Sequence, residues 1–406
     1  MVLGIIAEYN PFHNGHLYHL LKSKEETKAD SVIAVIGGNF TQRGEPSLID
    51  KWTKAEMALS NGADLVIELP TVYATSSAEN FADGAIKIIN SLKVVDYISF
   101  GSETDNFNNL NILANVLYKE PKEYKDLLSN SLKNGKSFPK AREEALVKYL
   151  NDKKYSLILS SPNNILAIEY LKALKKHNSK IKPMSIKRKD VGHLSLEYTG
   201  QITSATAIRK LIYTNHFKEI KTYLTPASYT VLIEEIKKGH YIQNPSYFDN
   251  IILYNLRNMS LQEISNLPDV SEGLENALKK AANSCNSIHE FINIVSSKRY
   301  TETRIKRILL YSLLKISKKD MELSKKTNPY IRVLGFNKNG KNLLSRISKA
   351  NPRLNIITSV KKFEGTNINK NLKLMLDKDI NATNIYTLGY SSDSWSNLDY
   401  TKKIIN

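Results

Sequence analysis

His13 and His16 stand three residues apart, flanking Asn14 and Gly15, in the segment Glu8-Tyr9-Asn10-Pro11-Phe12-His13-Asn14-Gly15-His16. At that spacing both imidazoles can face one phosphate group as hydrogen-bond donors, and Gly15 lets the phosphate approach the backbone. A second stretch with the same chemistry is Gln201-Ile202-Thr203-Ser204-Ala205-Thr206-Ala207-Ile208-Arg209-Lys210. There Ser204 and Thr206 offer hydroxyls to phosphate oxygens, and Arg209, one turn further on, offers positive charge. Between the two, Gly37-Gly38-Asn39-Phe40-Thr41-Gln42-Arg43-Gly44-Glu45-Pro46 supplies Asn39, Gln42 and Arg43 as candidate substrate contacts, with Arg43 able to meet a carboxylate or a phosphate. Each stretch also has a plainer reading: loop or core histidines, a Ser/Thr helix cap with a solvated arginine, a surface loop. Their joint presence favours a phosphate-handling site, and metal-ligand or general-base roles for the histidines become secondary.

Such groups need a frame that aims them at one point. Residues 2–7 read as an apolar strand, Asn10-Pro11 and Asn14-Gly15 as turns, and a helical pattern begins at about His16. A helix start presents unpaired N–H groups and the positive end of the macrodipole, which suits a nucleotide phosphate. Apolar runs at 31–36, 64–69, 94–100 and 180–187 alternate with helical patterns at 51–61, 78–92 and 165–176. That alternation predicts an α/β protein with a Rossmann-like parallel sheet covered by helices. Gly101 then ends a strand where a purine can stack on bare backbone, Asn163 opens a helix, and Arg188 follows the fifth strand. Neither a Gly-rich loop ending in Lys-Ser/Thr nor Gly-x-Gly-x-x-Gly occurs in the chain.

The charge balance, 58 Lys and Arg against 40 Asp and Glu for a formal +18, points to a polyanionic partner, with nucleic acid considered before an anionic membrane. One cysteine, Cys285, excludes an internal disulfide framework and a Cys-based zinc site and suggests a reducing compartment. With no basic leader and no apolar run of bilayer length, a cytoplasmic protein without a membrane partner is expected. At 406 residues the chain can hold two or three domains. We read 1–215 as the domain that carries the phosphate-handling groups, with a charged helical insertion at about 105–150. Residues 216–406 form a mainly helical basic region for RNA contact, ending in a small α/β element. Its basic runs lie at Lys237-Lys238, Lys298 to Arg307 and Lys315 to Lys319, interleaved with tyrosine.

His-x-Gly-His after a first strand resembles the signature of the HIGH-type nucleotidyltransferases, and Ser-x-Thr-x-x-Arg at 204–209 resembles their second motif. Together with Ser161-Pro162-Asn163-Asn164-Ile165-Leu166 and Arg332-Val333-Leu334-Gly335-Phe336, the chain resembles from end to end the bacterial tRNA(Met) cytidine acetate ligases. That resemblance implies activation of acetate by ATP to acetyl-adenylate, then acetylation of N4 of the wobble cytidine in the anticodon loop of elongator methionine tRNA. It also implies ATP contacts at Ile6, Ala7, Glu8, Tyr9, Asn10, Pro11, Phe12, His13, Asn14, Gly15, His16, Leu17, Tyr18, His19, Gly101, Asn163 and Arg188. His13 and His16 would be catalytic, Ser204, Thr206 and Arg209 secondary phosphate contacts, and Mg²⁺ would travel with ATP, since the motifs offer no carboxylate cage. Two competing readings are a nucleotidyltransferase that adenylylates a free metabolite and a non-catalytic RNA-binding protein.

Overall fold

The structure, a computed structural model, describes residues 1–188, 201–271, 273–366, 368–392 and 396–406. Its strands are Val2–Ala7 (β1), Ser31–Gly37 (β2), Leu65–Leu69 (β3), Tyr97–Ser102 (β4), Lys182–Lys187 (β5), Tyr330–Phe336 (β6) and Asn355–Ile357 (β7). Among the described residues these seven form one sheet in the order β5-β4-β1-β2-β3-β6-β7. The first five run parallel, and β3 is buried along its whole length, as helices on both faces require.

From β1 the chain steps outwards through β2 to β3, then returns over the helix Ala78–Leu92 to place β4 on the other side of β1. The strand order therefore reverses between β1 and β4, and in open α/β sheets such a reversal opens a crevice at the strands' carboxyl ends. The first helix spans Asn14–Thr27, two residues earlier than its apolar pattern predicts, because His13 takes the capping position. β4 begins three residues later than expected: the Asp96 carboxylate takes the Val2 N–H at 2.7 Å, and pairing starts beyond it. The insertion contains the helices Phe107–Lys119, Lys122–Lys133 and Phe138–Leu150, with Pro121 and Pro139 at the starts of the second and third.

The C-terminal α/β element joins the main sheet. β6 pairs antiparallel with β3, and β7 pairs with β6, so the element completes the main sheet. The physical reason is that β3 would otherwise offer an open hydrogen-bonding edge. The boundary expected at 216 thus separates two stretches of sequence without separating two sheets. Helices from Asp249–Asn258 to Lys318–Lys326 enclose their own apolar cluster, including Leu256, Leu278, Phe291 and Ile308, which Phe40 and Tyr386 join to the sheet.

A buried charge cluster fastens the two ends of the chain. Lys51 Nζ lies 2.9 Å from Glu68 and 2.9 Å from Asp399, and Arg332 reaches Asp399 at 3.4 Å. Removing one member of such a group leaves the others charged and unpaired away from water, which costs more than the cluster gains when intact. Lys51→Met is expected to lower unfolding free energy by about 3–5 kcal/mol, measured by urea denaturation.

Candidate active site

The loop between β1 and the Asn14–Thr27 helix is held by its own histidines. His13 caps the helix, its Nδ1 accepting the Gly15 N–H at 3.0 Å, while His16 Nδ1 accepts the His13 N–H at 3.3 Å. A nitrogen that accepts a hydrogen bond carries no proton, so each neutral ring has its hydrogen on Nε2, where it can be donated to a ligand. The rings stack at 3.9 Å between centroids. Burial lowers the His13 pKa to about 3, aided by the Arg188 and Arg209 charges. His16 is also pushed well below the usual imidazole range, by burial and then by His13, Arg188 and His19. His19, whose Nε2 lies 3.0 Å from Ser99 Oγ, falls to about 4 through burial and the Arg188 charge. A side chain at Gly15 would place its Cβ 2.9 Å from His13 Cε1, so the reciprocal cap requires glycine there.

These rings open onto a cavity of about 390 Å³ at the β1/β4 crevice. Of the residues expected from sequence, Ile6, Ala7, Glu8, Tyr9, His13, Gly15, His16, Tyr18, His19, Gly101, Asn163, Arg188, Gln42 and Arg43 line it. Gly101 lets Arg188 cross its backbone, since a Cβ there would meet Arg188 Cγ at 3.2 Å. Asn163 opens the helix Pro162–Lys176 and donates to Glu103 at 2.6 Å. The Gln42 N–H donates to Glu8 Oε1 at 2.8 Å, which ties the second strand-end loop to the first.

Other expected residues hold the site from outside its wall. Asn10 Oδ1 accepts the Leu48 N–H, and Asn14 binds the Tyr223, Gln201 and Thr222 carbonyls. Pro11, Phe12 and Leu17 are likewise absent from the lining; Phe12 is fully buried and packs 4.7 Å from Tyr9. Asn39 bridges the Lys51 N–H and Thr383. Ser204 caps its helix by accepting the Ala207 N–H, and Arg209 links Thr206 to the Asn10 carbonyl at 2.9 Å. In this arrangement the second motif braces the first, and its charge reaches His13 through space.

Sequence reasoning missed most of the apolar wall: Ala78, Phe81, Phe100, Pro162, Ile165, Leu166, Tyr170, Ile186 and Ile202, together with Lys187 and Thr203. Two signals pointed there. Phe100 directly precedes Gly101, and 162, 166 and 170 share one helix face. Among the described residues no group of three or more His, Cys, Asp or Glu is placed to hold a metal.

A family model described as HIGH Nucleotidyl Transferase matches residues 1–399. A tRNA(Met) cytidine acetate ligase of Thermoanaerobacter sp. (strain X514) is 48% identical over 404 residues, covering 100% of this chain and 99% of its own. The chain belongs to this ligase family. A ligase of the same name from Clostridium perfringens (strain ATCC 13124) is 42% identical, covering 95% of this chain and 94% of its own. The crystal structure of Thermotoga maritima TmcAL bound with alpha-thio ATP superposes with a TM-score of 0.92 at 36% identity, over 100% of this chain and 99% of that one. ATP binding and the nucleotidyltransferase fold are therefore properties of this family.

The histidine geometry makes a pH prediction. Unfolded imidazoles bind protons near pH 6.5, whereas folded His13 and His19 do so only near 3 and 4. Between those values the unfolded chain holds more protons, so stability present above pH 6.5 is lost as pH falls through this window. Nitrogen NMR of the imidazoles is expected to show the Nε2–H tautomer for His13 and His16 and no titration of His13 above pH 5.

Proposed function

We propose that this protein uses ATP to activate acetate and transfers the acetyl group to N4 of the wobble cytidine of elongator tRNA(Met), in the cytoplasm. The observation that carries this reading is the pair of neutral histidines, each with Nε2–H free to donate, beside an Arg188 guanidinium that lacks a protein partner among the described residues. An acetate oxygen bonds to the α-phosphorus, the bond from that phosphorus to the pyrophosphate oxygen breaks, and pyrophosphate leaves. N4 of the cytidine then attacks the acetyl carbon, the carbon–oxygen bond to AMP breaks, AMP departs with the electron pair, and the N4 proton goes to water.

Neutral donors suit the first step. They stabilise charge spread over the phosphate oxygens without first losing a proton themselves, and fixed donors need no reorganisation as charge develops. Arg188 contributes a cation beside Gly101, towards the base end of the nucleotide. With Glu8 as the carboxylate in the cavity wall and no protein cage for a metal among the described residues, Mg²⁺ is proposed to arrive on the ATP phosphates.

The polyanionic partner is proposed to be tRNA, bound through its anticodon loop by the basic helices after 216. The available charge is narrower than the sequence runs suggest. Arg304 and Arg307 bind the Asp269 carbonyl and carboxylate, and Lys306 pairs with Glu45 at 2.8 Å. Lys238 pairs with Glu235 at 2.7 Å, and Lys237, Lys298, Lys315 and Lys319 are exposed and remain the candidates for RNA phosphates. The loop must present its cytidine splayed out for N4 to reach the anhydride.

Incubation with ATP, labelled acetate and tRNA lacking the modification is expected to label one cytidine, and to label none without ATP. His16→Ala is expected to lower acetyl-adenylate formation by about 10²–10³-fold, the effect of removing one preorganised donor. Retention of full turnover in that variant, or adenylylation of a free metabolite with acetate ignored, would refute the reading.

A further inference from the structure

The strand order divides the cavity into two sides. β1 is central and carries the histidines, while β4 and β5 deliver Gly101 and Arg188 to one side. On the other side β2 delivers Arg43, and the exit from β3 delivers Ala78 and Phe81, first and fourth residues of their helix and so on one face of it. A nucleotide with its phosphates at His13 and His16 and its base towards Gly101 leaves the β2/β3 side to the second reactant. That side has the two features a short carboxylate needs, a cation and an apolar wall.

Arg43 is the cation. Its loop is fixed by the Gln42 N–H bond to Glu8, and the neighbouring Glu45 is already paired with Lys306, yet among the described residues the Arg43 guanidinium has no hydrogen bond or ion pair. The wall is Ala78 and Phe81, with Phe81 only 3% exposed. Rings seated in a close-packed core do not move aside for an extra methylene.

We propose that this side is the acetate subsite: Arg43 holds the carboxylate, and Ala78 and Phe81 enclose the methyl group and limit the acid to two carbons. The inference rests on the acetate-activating reading above. The same wall keeps water from the acetyl end of the mixed anhydride until the cytidine arrives.

The test is ATP–pyrophosphate exchange with acetate, propionate and butyrate, alongside binding of an ATP analogue. In Phe81→Ala the preference for acetate over propionate in kcat/KM is expected to fall at least about tenfold, the scale of one methylene in a fitted pocket. Ala78→Leu fills the subsite from a half-buried helix start and is expected to abolish exchange with acetate while the ATP analogue still binds; it decides the matter if Phe81→Ala does not fold. Arg43→Ala is expected to raise KM for acetate at least about tenfold, as loss of a charge-assisted contact would, with KM for ATP unchanged. Wild-type acyl preference in an active Phe81→Ala protein, or wild-type acetate kinetics in Ala78→Leu, overturns the methyl pocket. An unchanged acetate KM in Arg43→Ala overturns the cation assignment. A wild-type protein that shows no exchange with acetate overturns the proposed function instead, so the two failures are told apart.

Discussion

The reciprocal cap formed by His13 and His16 is the constraint on which the site depends. A helix start leaves backbone N–H groups without partners, and side-chain acceptors normally satisfy them. Here imidazole Nδ1 atoms do so, and the two bonds at once fix the loop, set the ring tautomers and leave the hydrogen of each neutral ring on Nε2. Burial and the nearby guanidinium groups keep the rings neutral. The same hydrogen bonds therefore serve folding and chemistry, and Gly15 is required because any side chain would strike the capping ring.

The remaining parts of the chain secure that junction. Arg209 holds the Asn10 carbonyl, the Tyr223 carbonyl accepts the Asn14 N–H, and Leu48 donates to Asn10 Oδ1. Tyr9 and Phe12 pack with Trp52, Ile208, Leu232 and Leu334, which come from both halves of the sequence. The buried Lys51 cluster and the β3–β6 pairing extend this union to the last residues. The loop is thus fastened by residues from both halves of the sequence.

Much of the fold was legible in the sequence because buried parallel strands are continuously apolar and their connecting helices are bounded by turn residues. The order βαβαβαβ and the placement of Gly101, Asn163 and Arg188 at strand or helix ends followed from that pattern. The destination of β6 was not legible, since its antiparallel pairing with β3 depends on an edge that only the assembled sheet reveals. At the site, residues with distinctive chemistry such as His13, His16 and Arg43 could be found, whereas Ala78, Phe81 and Phe100 look like any core residues until the cavity is seen. The second motif illustrates a different limit. Ser204, Thr206 and Arg209 suit phosphate binding by type, yet their hydrogen bonds here go to the helix start and to Asn10.

The central claim is that acetate is activated on the α-phosphorus in the cavity headed by these histidines. The most direct measurement is mass analysis of AMP and acetylated tRNA after turnover with acetate carrying ¹⁸O in both oxygens. Passage through acetyl-adenylate predicts one ¹⁸O in AMP and one in the acetyl carbonyl of the modified cytidine. AMP free of ¹⁸O, or label in pyrophosphate or orthophosphate, would contradict the account.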